Sequence, residues 1–170
     1  MKIEKNNIIL IGMPGVGKSS VGVVLAKIMG YRFLDSDLII QDKEGKLLSQ
    51  LIEENGVEGF LQIENTVNKS IKCEKCIVAT GGSAVYGKEA MEHFKDIGVV
   101  VYLKTDYKTL SERLGDLKTR GVAMKEGQSL LDLFEEREPL YEKYADIVVD
   151  ESGCGSVRET IAKVLEQLSC

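Results

Sequence analysis

Gly12-Met13-Pro14-Gly15-Val16-Gly17-Lys18-Ser19 decides the fold, because it satisfies the pattern G-x-x-x-x-G-K-[ST] at every defined position. Ile8-Ile9-Leu10-Ile11, just before it, is a short apolar run of the kind that makes a strand buried on both faces. After it, Val21, Val24, Leu25 and Ile28 recur at spacings of three and four, which predicts an amphipathic helix with Lys18 and Ser19 in its first turn. A strand, a glycine-rich loop and a helix N-terminus together form an anion site. The glycines let successive backbone N–H groups point inward, and the helix adds unpaired donors and the positive end of its dipole. Lys18 then reaches the β- and γ-phosphates of a nucleotide, and the Ser19 hydroxyl offers a ligand for Mg²⁺. A plain turn between strand and helix would need neither side chain.

Composition bounds the rest. The chain has 170 residues, of which 44% are hydrophobic and 29% charged, values that suit one globular domain spanning 1–170. No apolar run has the length of a membrane span, and residues 1–5 lack the pattern of a signal peptide. Cytoplasm is the expected compartment, with no membrane partner. The formal net charge of −5 argues against nucleic acid as a partner. Four cysteines, Cys73, Cys76, Cys154 and Cys170, include one C-x-x-C. A zinc site would need two further ligands at suitable spacing, so reduced bystander thiols are expected, and the single histidine, His93, reads as a surface residue.

Further strands are expected at 31–35, 77–79, 98–103 and 147–149, separated by helical patterns. Alternation of this kind predicts an α/β fold of three layers, with helices on both faces of a five-stranded parallel sheet. Helices are expected at 46–55 and 57–72, parted by Gly56, with Phe60, Ile63, Val67 and Ile71 buried and Glu58 and Asn65 facing solvent. Others are expected near 106–114, at 129–144 and at 156–168, with Pro139 kinking or restarting the second of these. Asp35-Ser36-Asp37 follows the second strand, and ligands in open α/β sheets gather at the carboxyl ends of strands. Asp35 therefore suits Mg²⁺, directly or through water, and Asp37 suits a proton acceptor for an attacking hydroxyl; one Asp could also cap a helix starting near Leu38. Gly81-Gly82 after the third strand marks close backbone approach. Between residues 115 and 128 the apolar pattern fades, which reads as a lid carrying Arg120.

With these residues in order, the whole chain resembles the shikimate kinases, P-loop enzymes of aromatic amino acid biosynthesis that phosphorylate a ring hydroxyl of shikimate with ATP and Mg²⁺. The likeness is carried by the phosphate loop, Phe33-Leu34-Asp35-Ser36-Asp37, Gly59-Phe60 with Glu64, Ala79-Thr80-Gly81-Gly82, and Arg137-Glu138-Pro139-Leu140-Tyr141. It implies a P-loop NTPase fold, a substrate-binding region at about 36–72, a lid at about 115–128, and a small hydroxylated carboxylic acid bound by a monomer. ATP contacts are expected from Gly12, Pro14, Gly15, Val16, Gly17, Lys18, Ser19 and Ser20, with Arg113 packing on adenine and Arg120 neutralising the phosphate in flight. The resemblance further implies that Lys18, Asp37 and Arg120 are catalytic, that Arg137 takes the substrate carboxylate, that Gly82 donates a backbone N–H, and that Gly81 also borders the substrate.

Three departures stand out. Leu61 occupies the place of an arginine that clamps the carboxylate, Ser83 that of a third glycine, and Gly121-Val122-Ala123 that of a Pro-Leu-Leu run. Loss of one bidentate ion pair costs on the order of 2 to 5 kcal/mol of binding. It also leaves Glu64 without an expected cationic partner. A smaller acid that also carries an ammonium group, such as a hydroxy amino acid, is the alternative substrate class, with Arg137 on its carboxylate and Glu64 on its amine. A nucleotide-binding module without transferase activity is the alternative from another class.

Overall fold

The computed structural model describes residues 5–114 and 121–170, and its sheet is built from five short strands. They are β1 (Asn7–Ile11), β2 (Arg32–Asp35), β3 (Cys76–Ala79), β4 (Gly98–Lys104) and β5 (Ile147–Asp150). All pairings are parallel, in the order β2-β3-β1-β4-β5. Seven helices lie between and after the strands among the described residues: α1 (Lys18–Met29), α2 (Ser36–Glu44), α3 (Leu48–Lys69), α4 (Lys88–Ile97), α5 (Tyr107–Arg113), α6 (Leu130–Tyr144) and α7 (Val157–Leu168). The expected α/β architecture with a five-stranded parallel sheet is what the chain forms.

The two-residue period of a strand sorts the core. In β1, Ile8 and Leu10 point to the α1 and α7 side, packed with Leu25, Val101 and Val164, while Ile9 and Ile11 join Met91, Phe94, Tyr102 and Tyr141 on the other. Strand β1 is paired on both sides and lies at the centre of the sheet. Its carboxyl end therefore delivers the phosphate loop to the middle of the sheet's rim, next to the end of β3, whose register pairs Leu10 with Ala79. A third apolar group, Ile40, Leu48, Leu51, Phe60, Val67 and Ala123, holds α2 and α3 together beside that rim.

Several expectations are corrected. The buried face of α1 is Val21, Gly22, Leu25 and Ala26, whereas Val24 and Ile28 are 41% and 57% exposed. The cause is Gly22: a Cβ there would stand 2.7 Å from the Phe33 ring, so the helix turns its glycine to the point of closest approach to the sheet. Gly56 does interrupt α3, with φ 72° and ψ 173°. Asn65, expected in solvent, is half-buried, accepts from the Ala90 N–H at 3.0 Å and donates to Glu89 at 3.1 Å, tying α3 to the first turn of α4. His93 is likewise half-buried, with Nε2 2.6 Å from the Ile71 carbonyl. Pro139 does not restart α6, which runs through it unbroken to Tyr144. It lies with Glu135 on the exposed face, where water can serve the carbonyl that the ring deprives of its donor.

Candidate active site

The phosphate loop turns under the sheet's rim with three glycines, Gly12, Gly15 and Gly17, in backbone states that other residues avoid. Gly12 has φ 148°, and a Cβ on it would meet the Leu103 carbonyl at 2.7 Å; Gly17, at φ 96°, is the left-handed residue from which α1 starts. Gly15, Val16, Gly17 and Ser20 line one side of a hollow of about 290 Å³ that is closed on the other by Arg113, Glu151 and residues 154–157. Arg113 Nη1 reaches Glu151 Oε1 at 2.7 Å, which fixes its guanidinium over that hollow. The Lys18 side chain is buried, and its Nζ donates to the Gly12 carbonyl at 2.6 Å and the Met13 carbonyl at 2.9 Å. Burial lowers its ammonium from the ordinary 10.5 to about 8, with Asp37 pulling the other way.

At the end of β2, Asp35 does two things at once. Its Oδ1 accepts from the backbone N–H groups of Asp37 (3.0 Å) and Leu38 (3.3 Å), capping α2, which therefore begins at Ser36. Its Oδ2 accepts from Ser19 Oγ at 3.0 Å. Ser19 and Asp35 thus offer two hard oxygens beside a phosphate loop, a donor set that fits Mg²⁺. Asp37 projects from the first turn of α2, and burial, then the neighbouring Asp35, raise its carboxyl to about 6.

Asp37 and Arg137, 100 residues apart in sequence, line one narrow hollow of about 50 Å³ together with Pro14, Gly81, Gly82, Ser83 and residues 121–123. Two glycines make it possible. A Cβ on Gly81 would stand 2.6 Å from Asp37 Oδ1 and 2.9 Å from Glu64 Oε2, and one on Gly82 would stand 2.6 Å from the Pro14 ring and 2.9 Å from Arg137 Nη1. Arg137 is 1% exposed; its Nη2 donates to the Ala123 carbonyl at 2.9 Å and its Nε to Tyr86 Oη at 3.4 Å. Tyr141 Oη donates to the Gly82 carbonyl at 2.6 Å and lies 3.6 Å from Met13 Sδ.

Glu64 is not left without a partner. Ser83 Oγ donates to its Oε1 at 2.7 Å, while Oε2 is buried with no hydrogen-bond partner among the described residues. Burial raises the carboxyl to about 7, offset by the Ser83 bond. Leu61 does not line the hollow with Asp37; it packs on the α2–α3 group and borders an adjoining cleft with Val57, Tyr86 and Ala123. Arg120 lies outside the described residues. Sequence reasoning missed Tyr86 and Glu151, and no motif or periodicity marks either.

A sequence profile for shikimate kinase matches residues 14–169. The chain belongs to the shikimate kinase family. A shikimate kinase of Vibrio parahaemolyticus is 38% identical over 169 residues, covering 96% of this chain and 98% of that protein. Among solved structures, the shikimate kinase of Acinetobacter baumannii in complex with shikimate is 34% identical with a TM-score of 0.86, covering 98% of this chain and 94% of that one. The shikimate kinase of Aquifex aeolicus is 32% identical with a TM-score of 0.81, covering 96% of both chains. Like other members of the shikimate kinase family, this chain is a P-loop kinase that uses ATP as phosphate donor. No helix among the described residues is long and apolar enough to cross a membrane.

Proposed function

We propose that the chain transfers the γ-phosphoryl group of ATP to a ring hydroxyl of shikimate. The observation that carries this reading is the hollow shared by Asp37 and Arg137, a carboxylate for a hydroxyl and a guanidinium for a carboxylate, abutting the phosphate loop at Pro14. Backbone donors of residues 12–20 and Lys18 hold the phosphates, and the Arg113–Glu151 pair borders the space for the base. Mg²⁺ would be held by Ser19 and Asp35 and would neutralise charge on the phosphate oxygens. Asp37, with a carboxyl poised near 6, orients the acceptor hydroxyl and receives its proton as the new phosphate ester bond forms and the bond from the γ-phosphorus to the β-phosphate oxygen breaks, releasing ADP. Lys18, moved from the Gly12 and Met13 carbonyls to the phosphates, and Arg120 stabilise the charge that spreads over the transferring group.

Residues 36–72 serve as the acceptor-binding region and 115–128 as the lid. The hollow is smaller than a six-membered ring acid, so the wall formed by residues 121–123 yields as the acceptor arrives. We take the protein to work as a cytoplasmic monomer. A hydroxy amino acid is the second reading, favoured by Glu64 Oε2, which has no partner among the described residues and suits an ammonium group. Coupled measurement of ADP release with shikimate, homoserine, serine and threonine tests both. Shikimate turnover with a micromolar KM is expected; amino-acid turnover without it reverses the order, and nucleotide binding without any product supports a binding module.

A further inference from the structure

We propose that Ser83 is a positioning residue of the acceptor pocket: its hydroxyl holds Glu64 away from Arg137 and thereby keeps the guanidinium available to the acceptor. This rests on the reading of that hollow as the acceptor site. Glu64 and Arg137 flank neighbouring backbone units, with Glu64 Oε2 2.9 Å from the Cβ position of Gly81 and Arg137 Nη1 2.9 Å from that of Gly82. Both side chains are almost wholly buried, at 2% and 1% exposure. A buried carboxylate and a buried guanidinium beside successive residues of one turn, the charge of one felt by the other, favour pairing. They do not pair. Among the described residues Glu64 takes part in no ion pair, whereas Arg137 donates from Nη2 to the Ala123 carbonyl and from Nε to Tyr86, with Nη1 beside Gly82.

The Ser83 bond explains the separation. Ser83 is 6% exposed, sits at the start of the short 3-10 turn Ala84–Tyr86, and donates to Glu64 Oε1 at 2.7 Å. With Oε1 fixed there, Oε2 faces the Asp37 side of the hollow, where like charge and burial favour the protonated carboxyl, while Arg137 and Lys18 favour the carboxylate. Without the hydroxyl, Oε1 loses its only donor among the described residues, and the Arg137 guanidinium beside Gly82, whose charge already acts on Glu64, offers several N–H groups. An acceptor carboxylate would then have to displace Glu64 to reach the guanidinium. The penalty falls on acceptor binding, not on the transfer step or on ATP.

Steady-state kinetics of Ser83→Ala, Ser83→Thr, Glu64→Gln and the double variant test this, with shikimate and ATP varied separately. Ser83→Ala is expected to raise the KM for shikimate about tenfold, the scale of one hydrogen bond to a charged group, with kcat and the KM for ATP unchanged. Ser83→Thr, which keeps the hydroxyl, restores the KM. In the Glu64→Gln background, where the neutral amide has no reason to pair with Arg137, Ser83→Ala has no effect on KM. An unchanged KM in Ser83→Ala, or the same rise in both backgrounds, overturns the inference and leaves the functional reading standing. Absence of shikimate turnover in the unsubstituted enzyme overturns both.

Discussion

Ser19 Oγ donates to Asp35 Oδ2 at 3.0 Å, joining the first turn of α1 to the end of β2, while the other oxygen of the same carboxylate caps α2. The cap and the proposed cation site thus share one side chain, and substitution can separate them. Asn caps a helix about as well as Asp, so Asp35→Asn keeps the thermal midpoint within a few degrees. With the charge gone, the Mg²⁺ concentration for half-maximal turnover rises about tenfold. Magnesium titrations and melting curves on the same preparations check both outcomes. Asp35→Ala should fail on both counts, with about 1 kcal/mol of stability lost with the cap.

Burial holds Lys18 at about 8, below an ordinary ammonium. A triphosphate brought beside it favours the charged form, so nucleotide binding draws a proton onto Lys18 near pH 8 and none onto it near pH 6.5. Titration calorimetry with Mg·ATP in buffers of different ionisation enthalpy reads this uptake. Lys18→Arg, charged throughout, abolishes it.

Glu64 gives stability a dependence on pH. Its carboxyl titrates at about 7 in the folded protein against 4.5 in an ordinary setting, so the folded chain binds the proton more tightly than the unfolded chain does. The contribution is present in full below about pH 4.5 and is lost as pH rises through 7. Glu64→Gln does not titrate. Its unfolding free energy relative to the parent therefore climbs between those two values, by about 3 kcal/mol in all. Urea unfolding across that range measures the climb, and a constant difference would contradict it.

Gly81 leaves space for two carboxylates. A methyl group at this position would stand 2.6 Å from Asp37 Oδ1 and 2.9 Å from Glu64 Oε2, so both acids must shift. Displacing a reacting group by about 1 Å costs ~100-fold in rate, and Gly81→Ala is expected to lower kcat/KM by that order. ATP affinity, read by equilibrium binding, stays within threefold.

The sheet was legible because β1 and β4 are near-continuous apolar runs and the loop between β1 and α1 carries a motif whose spacing requires its neighbours. The α1 face was misread because a glycine carries no side chain for a periodicity to register, yet Gly22 is where helix and sheet come closest. Asn65 looked like a surface residue because its partners, Ala90 and Glu89, lie on another helix. In the site, Asp37 and the phosphate loop announce themselves by local pattern. The bonds Tyr86–Arg137 and Ser83–Glu64 span 51 and 19 residues, and nothing local encodes them. Only the folded geometry assigns Ser83 a partner.

Tyr141 is the hub behind both halves of the site. Stacked on Tyr102 at 5.1 Å, it bonds the Gly82 carbonyl and touches Met13 on the phosphate loop through the same oxygen. The shelf under the acceptor and the collar around the nucleotide are therefore bolted to a single rigid post. Removing that oxygen would let the two drift independently, so a lesion at a buried side chain that lines neither hollow would be felt as a loss of alignment between the ligands.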